Sequence, residues 1–347
     1  MNMAADTAVA GLNDSTHEGV RESGWTLDWA HGEAHIQALG GMLGPVHFRL
    51  PDGRNFQPFY VAPWADDPAL PPLLRRMRGE WPCVPFTRPD VPAGLPAGWR
   101  AQPTLPDDIH GPGSNQPWHL ICRSESHVVL GIDYPDNHAI RSLRREIRAD
   151  PASACLHIKL TIEPRRATVM PVALHPTFRL PAGSGSGLQL EPGAFRAAHT
   201  YPVQFEDGVS TLLPNSSSGN LQMLPGNDGP VDLSRLPLPN QTEELVQLQD
   251  CDGVFGLLYR DEGVRVTLRW DARRLPDAVL WVSNGGRAHA PWLGRNFALG
   301  VEPVCGVFEL GGVATPPADH PLATRKGLLL RAGIPVEIAY SVGVAPA

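Results

Sequence analysis

Two titratable residues stand where chemistry is expected. His175 follows the apolar run Val172-Ala173-Leu174 and precedes Pro176; Glu302 lies in Phe297-Ala298-Leu299-Gly300-Val301-Glu302-Pro303. An imidazole changes charge near neutral pH. A carboxylate inside an apolar strand is costly unless it is paired or functional, and burial raises its pKa toward the range useful for proton exchange. Brought together across a pocket, the two form an acid and a base suited to proton transfer on a neutral polar substrate such as a sugar. Each has a plainer reading: His175 as a core histidine bonded to a carbonyl, and Glu302 as the ion-pair partner of Arg287 or Arg295. Pro176 ends the first strand and so puts His175 at a rim rather than mid-sheet.

Two further segments carry chemistry-bearing residues. His110 opens the loop Gly111-Pro112-Gly113-Ser114-Asn115-Gln116-Pro117, which ends at Trp118. Glycines let backbone approach a ligand closely, and an indole offers a flat apolar face with one N–H donor. Taken alone, the loop reads as a histidine capping a turn, with Trp118 in the core. Asp250-Cys251-Asp252-Gly253 reads as a turn entering a strand, since Asp-Gly is a common turn pair. The GxSxG, GxxxxGK[ST] and HExxH patterns do not occur, and Gly183-Ser184-Gly185-Ser186-Gly187 has the wrong spacing for a dinucleotide loop, so it reads as a flexible turn.

The elements that position these residues are short. The 347 residues include 37 Pro and 35 Gly, which leaves little room for long helices. Trp118 to Cys122 and His127 to Ile132 read as a hairpin; Ala154 to Ile162 alternates with period two; Thr168 to Leu174 follows after a turn at Pro164-Arg165-Arg166. Val254 to Tyr259, Val264 to Trp270, Ala278 to Ser283 and Val336 to Val342 continue the series. Repeated short strands with turn signals give an all-β class, a large antiparallel β-sandwich with very little helix. The one helix expected is Leu70 to Arg78; Pro181 to Pro237 is expected to hold long loops with a few short strands. Residues 1–23 read as a flexible tail and residues 24–347 as a single domain.

Composition narrows the function classes. Lys and Arg total 29 against 36 Asp and Glu, a net charge of −7, with no dense basic patch, so nucleic-acid binding is not expected. No apolar run approaches the ~20 residues that span a bilayer, and the first residues lack a signal-peptide pattern. Five widely spaced cysteines read as reduced, mostly buried thiols, which points to a cytoplasmic protein with no structural zinc.

In this order the segments resemble the aldose 1-epimerase (galactose mutarotase-like) superfamily. His110-Gly111 with Trp118 is similar to the family's first histidine loop. Leu174-His175-Pro176-Thr177-Phe178-Arg179-Leu180 is similar to its Asn-His-Ser/Thr-Tyr-Phe-Asn-Leu segment. Asp252-Gly253-Val254-Phe255 is similar to Asp-His-x-Phe, and Leu299-Gly300-Val301-Glu302-Pro303 to the late glutamate strand. The resemblance runs from about Trp25 to Val342. It implies a β-sandwich with a sugar cleft on one face, a monomer or homodimer, and no metal or redox cofactor. It also implies roles: His175 protonates the ring oxygen, Glu302 takes the proton from the anomeric hydroxyl, His110 bonds near the ring oxygen and Asp252 binds ring hydroxyls. Trp118 would offer its ring to the sugar, and Arg78, with Arg75 and Arg76 as rivals, would be the site arginine.

The surroundings depart from the family. Leu174 stands for Asn, Pro176 and Arg179 replace a small polar residue and an Asn, Gly253 replaces His, and the polar residue often found two after the glutamate is missing. The substrate is therefore open between neutral and anionic sugars, with Arg179, Arg287 and Arg295 as the cations an anion would need. A carbohydrate-binding protein without turnover is the alternative, but binding alone needs no matched acid and base. A glycoside-processing enzyme ranks last, because hydrolysis usually uses two carboxylates.

Overall fold

The structure is a computed structural model in which residues 24–102, 108–181 and 187–347 are described. The tail expected over 1–23 and residues 183–186 of the Gly-Ser turn lie outside the described residues. The chain is built from two large antiparallel sheets, with one smaller sheet at its start. Nine strands form the outer sheet, whose middle is Val264–Trp270, Val336–Pro346, Cys155–Pro164 and Ile140–Ala149. These strands alternate. Val264, Val266, Leu268 and Trp270 point inward while Arg265 and Arg269 face out. A sheet with one wet face produces this period-two pattern.

The eight-stranded sheet is different. Thr242–Gln249 and Asp277–Asn284 are buried at every position, and Phe297–Cys305 at all but its two end residues. One face, with Val246, Leu248, Leu280, Val282, Leu299 and Val301, packs on the outer sheet in the main core. The other face carries Leu245, Val279, Trp281, Ala298 and Val304 into a second apolar cluster closed over by loops. Doubly covered strands lose the alternation that marks a strand in sequence.

The expected strands are present, with shifted ends. Pro171 divides the stretch Thr168 to Leu174: Thr168–Met170 pairs with Leu328–Leu330, and Val172–Leu174 joins the eight-stranded sheet. The expected helix shrinks to one turn, Pro72–Arg75, because Arg76 leaves helical geometry and Arg78 bridges to Val61. A second single turn, Pro112–Asn115, lies in the His110 loop. The cysteines are unpaired, but of the five only Cys83 is buried, and Cys122 is exposed on the edge strand.

The first sheet, Gly24–Trp29, Gly32–Gln37, Leu43–Arg49 and Asn55–Phe56, is tied to the outer sheet by a buried charge cluster. Arg145 points inward from Ile140–Ala149 with no exposure and bonds the Glu80 carboxylate and the Gly41 carbonyl. Tyr340 donates to the other Glu80 oxygen at 2.7 Å, and Glu80 pairs its backbone with Leu43. Removing one partner of such a buried pair leaves an uncompensated charge. Glu80→Ala is therefore expected to lower the unfolding free energy by about 3–5 kcal/mol in urea titrations. A loss under ~1 kcal/mol would show that water reaches Arg145.

Candidate functional site

Strand register builds the site. Ala173 pairs with Val304 and Thr177 pairs with Gly300, so the segment between them sets His175 opposite Glu302. Cross-strand partners in an antiparallel pair point to the same face. Glu302 in turn pairs with Val279, and the His175 N–H bonds the Trp81 carbonyl at 2.8 Å. A row of side chains thus crosses the second face of the eight-stranded sheet: Val279, Glu302, His175, Trp81. The Pro176 expectation is corrected here. Pairing with Phe297–Cys305 resumes at Thr177, so His175 sits mid-sheet rather than at a rim, and it is only 5% exposed.

His175 Nε2 lies 3.3 Å from Glu302 Oε1. Gly300 makes room for this carboxylate, since a Cβ there would come within 2.3 Å of Glu302 Oε1. The imidazole stacks on Trp81 with centroids 4.1 Å apart and meets Trp281 edge-on at 6.1 Å. Its Nδ1 is 3.0 Å from the Thr177 hydroxyl, which also lies 3.4 Å from the His175 carbonyl. The pair forms part of the lining of a cleft of about 420 Å³. A cavity of this size falls in the range of small-molecule sites.

His110 reaches the same cleft. Its backbone takes positive φ (62°), its N–H bonds the Thr87 carbonyl at 2.8 Å, and its ring stacks on Phe86 and meets His175 edge-on at 5.4 Å. Gly111 approaches the Val84 carbonyl, 2.6 Å from where a Cβ would stand.

The other sequence candidates lie elsewhere. Trp118 is in the main core, and its indole N–H bonds the Gly113 carbonyl at 2.8 Å. The Asp252 carboxylate accepts the backbone N–H groups of Ala194 and Val254, which is turn chemistry, and it does not line the cleft. Arg78 bonds the Arg76 carbonyl, while Arg75 and Arg76 pair with Asp66; none lines the cleft. Arg179 pairs with Glu262 between the rings of Phe56 and Tyr259, also away from it. Among the described residues Glu302 pairs with His175 rather than with Arg287 or Arg295.

The arginines on the cleft are Arg88 and Arg287. Arg88 bonds Tyr201 at 3.0 Å and pairs with Glu309 at 3.4 Å and Asp90 at 3.2 Å. Arg287 pairs with Glu206 at 3.0 Å and lies over the rings of Trp292 and Phe205. Glu309 follows Phe308, a buried aromatic held at φ 45°. Such a conformation costs about 1–3 kcal/mol and persists only where the surroundings fix it. Here the Gln247 side chain accepts the Phe308 N–H at 2.6 Å and donates to the Gly306 carbonyl at 3.0 Å and to Asp277 at 2.8 Å. Sequence reading missed Trp81, Arg88, Trp281 and Glu309; Arg88-Pro89-Asp90 and Glu309 have no local pattern that separates them from surface charges.

Burial sets the protonation states. It pushes Glu302 well above the usual carboxylate range, and the nearby Glu309 charge adds to the shift. It pushes His175 well below its usual value, with His110 adding to it, and lowers His110 to about 3. Burial thus favours the uncharged form of each member of the pair. The stability consequence follows by linkage. Below the ordinary carboxylate pKa both folded and unfolded chains hold the Glu302 proton. Above it the unfolded chain releases the proton and the folded chain keeps it, so this group's contribution to stability falls as pH rises. Glu302→Gln removes that dependence. Its Tm is expected to exceed wild type at pH 8 by about 2 °C or more, with the gain shrinking toward pH 5. An equal or lower Tm at pH 8 would mean that the carboxylate is stabilised in the fold.

Sequence comparison finds no matching family model and no matching curated protein. Comparison with solved structures finds the fold. A protein from Escherichia coli K12, provisionally named an aldose 1-epimerase, superposes with TM-score 0.62 at 15% identity, covering 94% of this chain and 99% of that one. A galactose mutarotase-related enzyme from Lactobacillus acidophilus gives TM-score 0.58 at 16% identity, over 92% and 97%. A galactose mutarotase-like protein from Lactobacillus casei gives 0.57 at 16%, over 93% and 100%. With its antiparallel layers and near absence of helix, the chain has the galactose mutarotase-like fold.

Proposed function

We propose that this protein is a cofactor-independent, aldose 1-epimerase-like isomerase that interconverts the anomers of a sugar by acid/base ring opening. The observation that carries the reading is the in-register His175–Glu302 pair, 3.3 Å apart and buried in the cleft of this fold. Mutarotation needs one proton removed from the anomeric hydroxyl and one delivered to the ring oxygen. Both oxygens are bonded to the same carbon, so a donor and an acceptor a few ångströms apart reach both. Opening yields the free aldehyde, the terminal C–C bond rotates, and closure from the other face reverses the two transfers. The family resemblance gives the donor role in opening to His175 and the acceptor role to Glu302. His110, neutral and edge-on to His175, is suited to a hydrogen bond near the ring oxygen.

The remaining cleft chemistry suits a neutral polyhydroxylated ring. Arg88 and Arg287 each have carboxylate partners, so neither offers an uncompensated cation to a phosphate or sugar acid. Each guanidinium–carboxylate pair presents a donor beside an acceptor, which matches a sugar hydroxyl. The indoles of Trp81, Trp281 and Trp292 supply apolar walls. Arg88 thus takes the role the resemblance assigned to Arg78.

Polarimetry of freshly dissolved aldoses tests the reading. Wild type is expected to accelerate relaxation of at least one neutral aldose. His175→Ala and Glu302→Gln are each expected to lower that rate by roughly 10²–10⁴-fold, the range of a lost acid or base. Relaxation at the uncatalysed rate for every sugar, with sugars still shifting Trp fluorescence, would leave a binding protein instead.

A further inference from the structure

The row of side chains that carries the pair continues beyond it. Val279, opposite Glu302, is itself opposite Gln247 on the next strand, so the face runs Gln247, Val279, Glu302, His175, Trp81. Gln247 is fully buried and shares that face with Leu245, two positions before it. Its side-chain oxygen accepts the Phe308 N–H at 2.6 Å, which pins the strained turn to the far end of the row. The next residue, Glu309, lines the cleft. The two ends of the row therefore differ. His110 stands by His175, with ring centroids 5.4 Å apart, while Glu309 is anchored at Gln247, on the other side of Glu302.

Only half of the Glu309 carboxylate is engaged. Arg88 Nη1 at 3.4 Å and the Tyr201 hydroxyl at 3.3 Å both bond Oε1. Among the described residues nothing bonds Oε2. Arg88 also donates to the Tyr201 oxygen at 3.0 Å, and its backbone N–H donates to the Glu309 carbonyl at 3.1 Å. The carboxylate is thus fixed through one oxygen and through its own backbone. The second oxygen is left as an acceptor in a cleft walled by indoles, on a side chain only 12% exposed. A charged acceptor makes a hydrogen bond roughly twice as strong as a neutral one.

We propose that Glu309 Oε2 accepts the hydroxyl on carbon 2 of the sugar, and so makes the cleft selective for aldoses that carry a 2-hydroxyl over their 2-deoxy counterparts. This rests on the reading of the cleft as an epimerase site. The placement follows from the order of the row. The pair brackets carbon 1, with the ring oxygen on the side of His175 and His110 and the anomeric oxygen at Glu302. Carbon 2 is the other ring neighbour of carbon 1. It therefore falls away from His110, on the side where Glu309 is anchored. The Glu309 charge acts on Glu302, which agrees with the closeness this arrangement requires.

The acceptor differs in origin from the one the resemblance implies. That role fell to Asp252, whose carboxylate is taken up by backbone N–H groups in a turn. Glu309 supplies a carboxylate from the turn that follows Phe297–Cys305, and the backbone strain at Phe308 fixes where it stands.

Glucose and galactose, each beside its 2-deoxy and 3-deoxy counterparts, test the assignment. Two ratios between sugars are read within one protein: kcat/KM from NMR exchange and Kd from Trp fluorescence. Wild type is expected to favour the parent over the 2-deoxy sugar by about 10–100-fold, the range of one hydrogen bond to a charged group, and by more than it favours the parent over the 3-deoxy sugar. Glu309→Ala is expected to bring the 2-deoxy ratio below about threefold. Glu309→Gln, which keeps the size and offers a neutral acceptor, is expected to fall between the two. A ratio taken within one protein does not depend on how much of each variant folds. Equal use of parent and 2-deoxy sugar by wild type, a ratio that survives Glu309→Ala, or a larger loss for the 3-deoxy sugar would each overturn the assignment. Selective binding without relaxation would defeat the epimerase reading and leave the role of Glu309 standing. Relaxation without selectivity would defeat the role of Glu309 alone.

Discussion

The constraint on which the site depends is the placing of an imidazole and a carboxyl opposite each other on a sheet face that has no water behind it. Strands buried on both faces hold their register strictly, because a one-residue slip would exchange the faces of every side chain. A slip of Phe297–Cys305 would turn Glu302 into the main core and bring Leu299 and Val301 into the cleft. The core therefore enforces the site. The apolar packing of one face fixes the alignment of the polar groups on the other.

That placement costs stability, and the surrounding structure offsets it. Isolated charges are expensive in such a place, and burial favours the uncharged form of each partner. The charges that do line the cleft come as pairs, Arg88 with Glu309 and Arg287 with Glu206, pinned by Tyr201 and by aromatic rings. The strained backbone at Phe308 is held by Gln247 from the neighbouring sheet row. Local strain next to a cleft carboxylate is the pattern expected where position matters more than local comfort. Away from the cleft, the Arg145–Glu80–Tyr340 cluster joins the first sheet to the outer one, and Glu80 is the residue just before Trp81. The wall of indole behind His175 is thereby anchored through the main core.

Much of the architecture is legible in the sequence where one face is wet. Val264–Trp270 and Cys155–Pro164 alternate because Arg265, Arg269, His157 and their neighbours meet solvent. Thr242–Gln249 carries no such mark: Glu243, Glu244 and Gln247 are polar, yet all are buried, with bonds to Ser283, Thr211 and Asp277. His175 and Glu302 stand out as titratable groups in apolar runs, but what aligns them is a register that no local spacing encodes. Trp118 and Asp252 resembled site residues in order and type, and local hydrogen bonds claim both, one from the Gly113 carbonyl and the other from two backbone N–H groups. Arg78, with Arg75 and Arg76 as rivals, is a candidate only by its place upstream of His110, a place that Arg88 shares. What separates them is Glu309, 221 positions later in the chain.

The central claim is that the His175–Glu302 pair brackets an anomeric centre. A crystal structure of the protein with a bound aldose tests it most directly. The account predicts that the ring oxygen and the anomeric oxygen each lie within hydrogen-bond reach, about 2.6–3.2 Å, of His175 Nε2 or the Glu302 carboxyl. A sugar bound in the cleft with its anomeric carbon turned toward Arg287 and Trp292, and other hydroxyls or none against the pair, would contradict it.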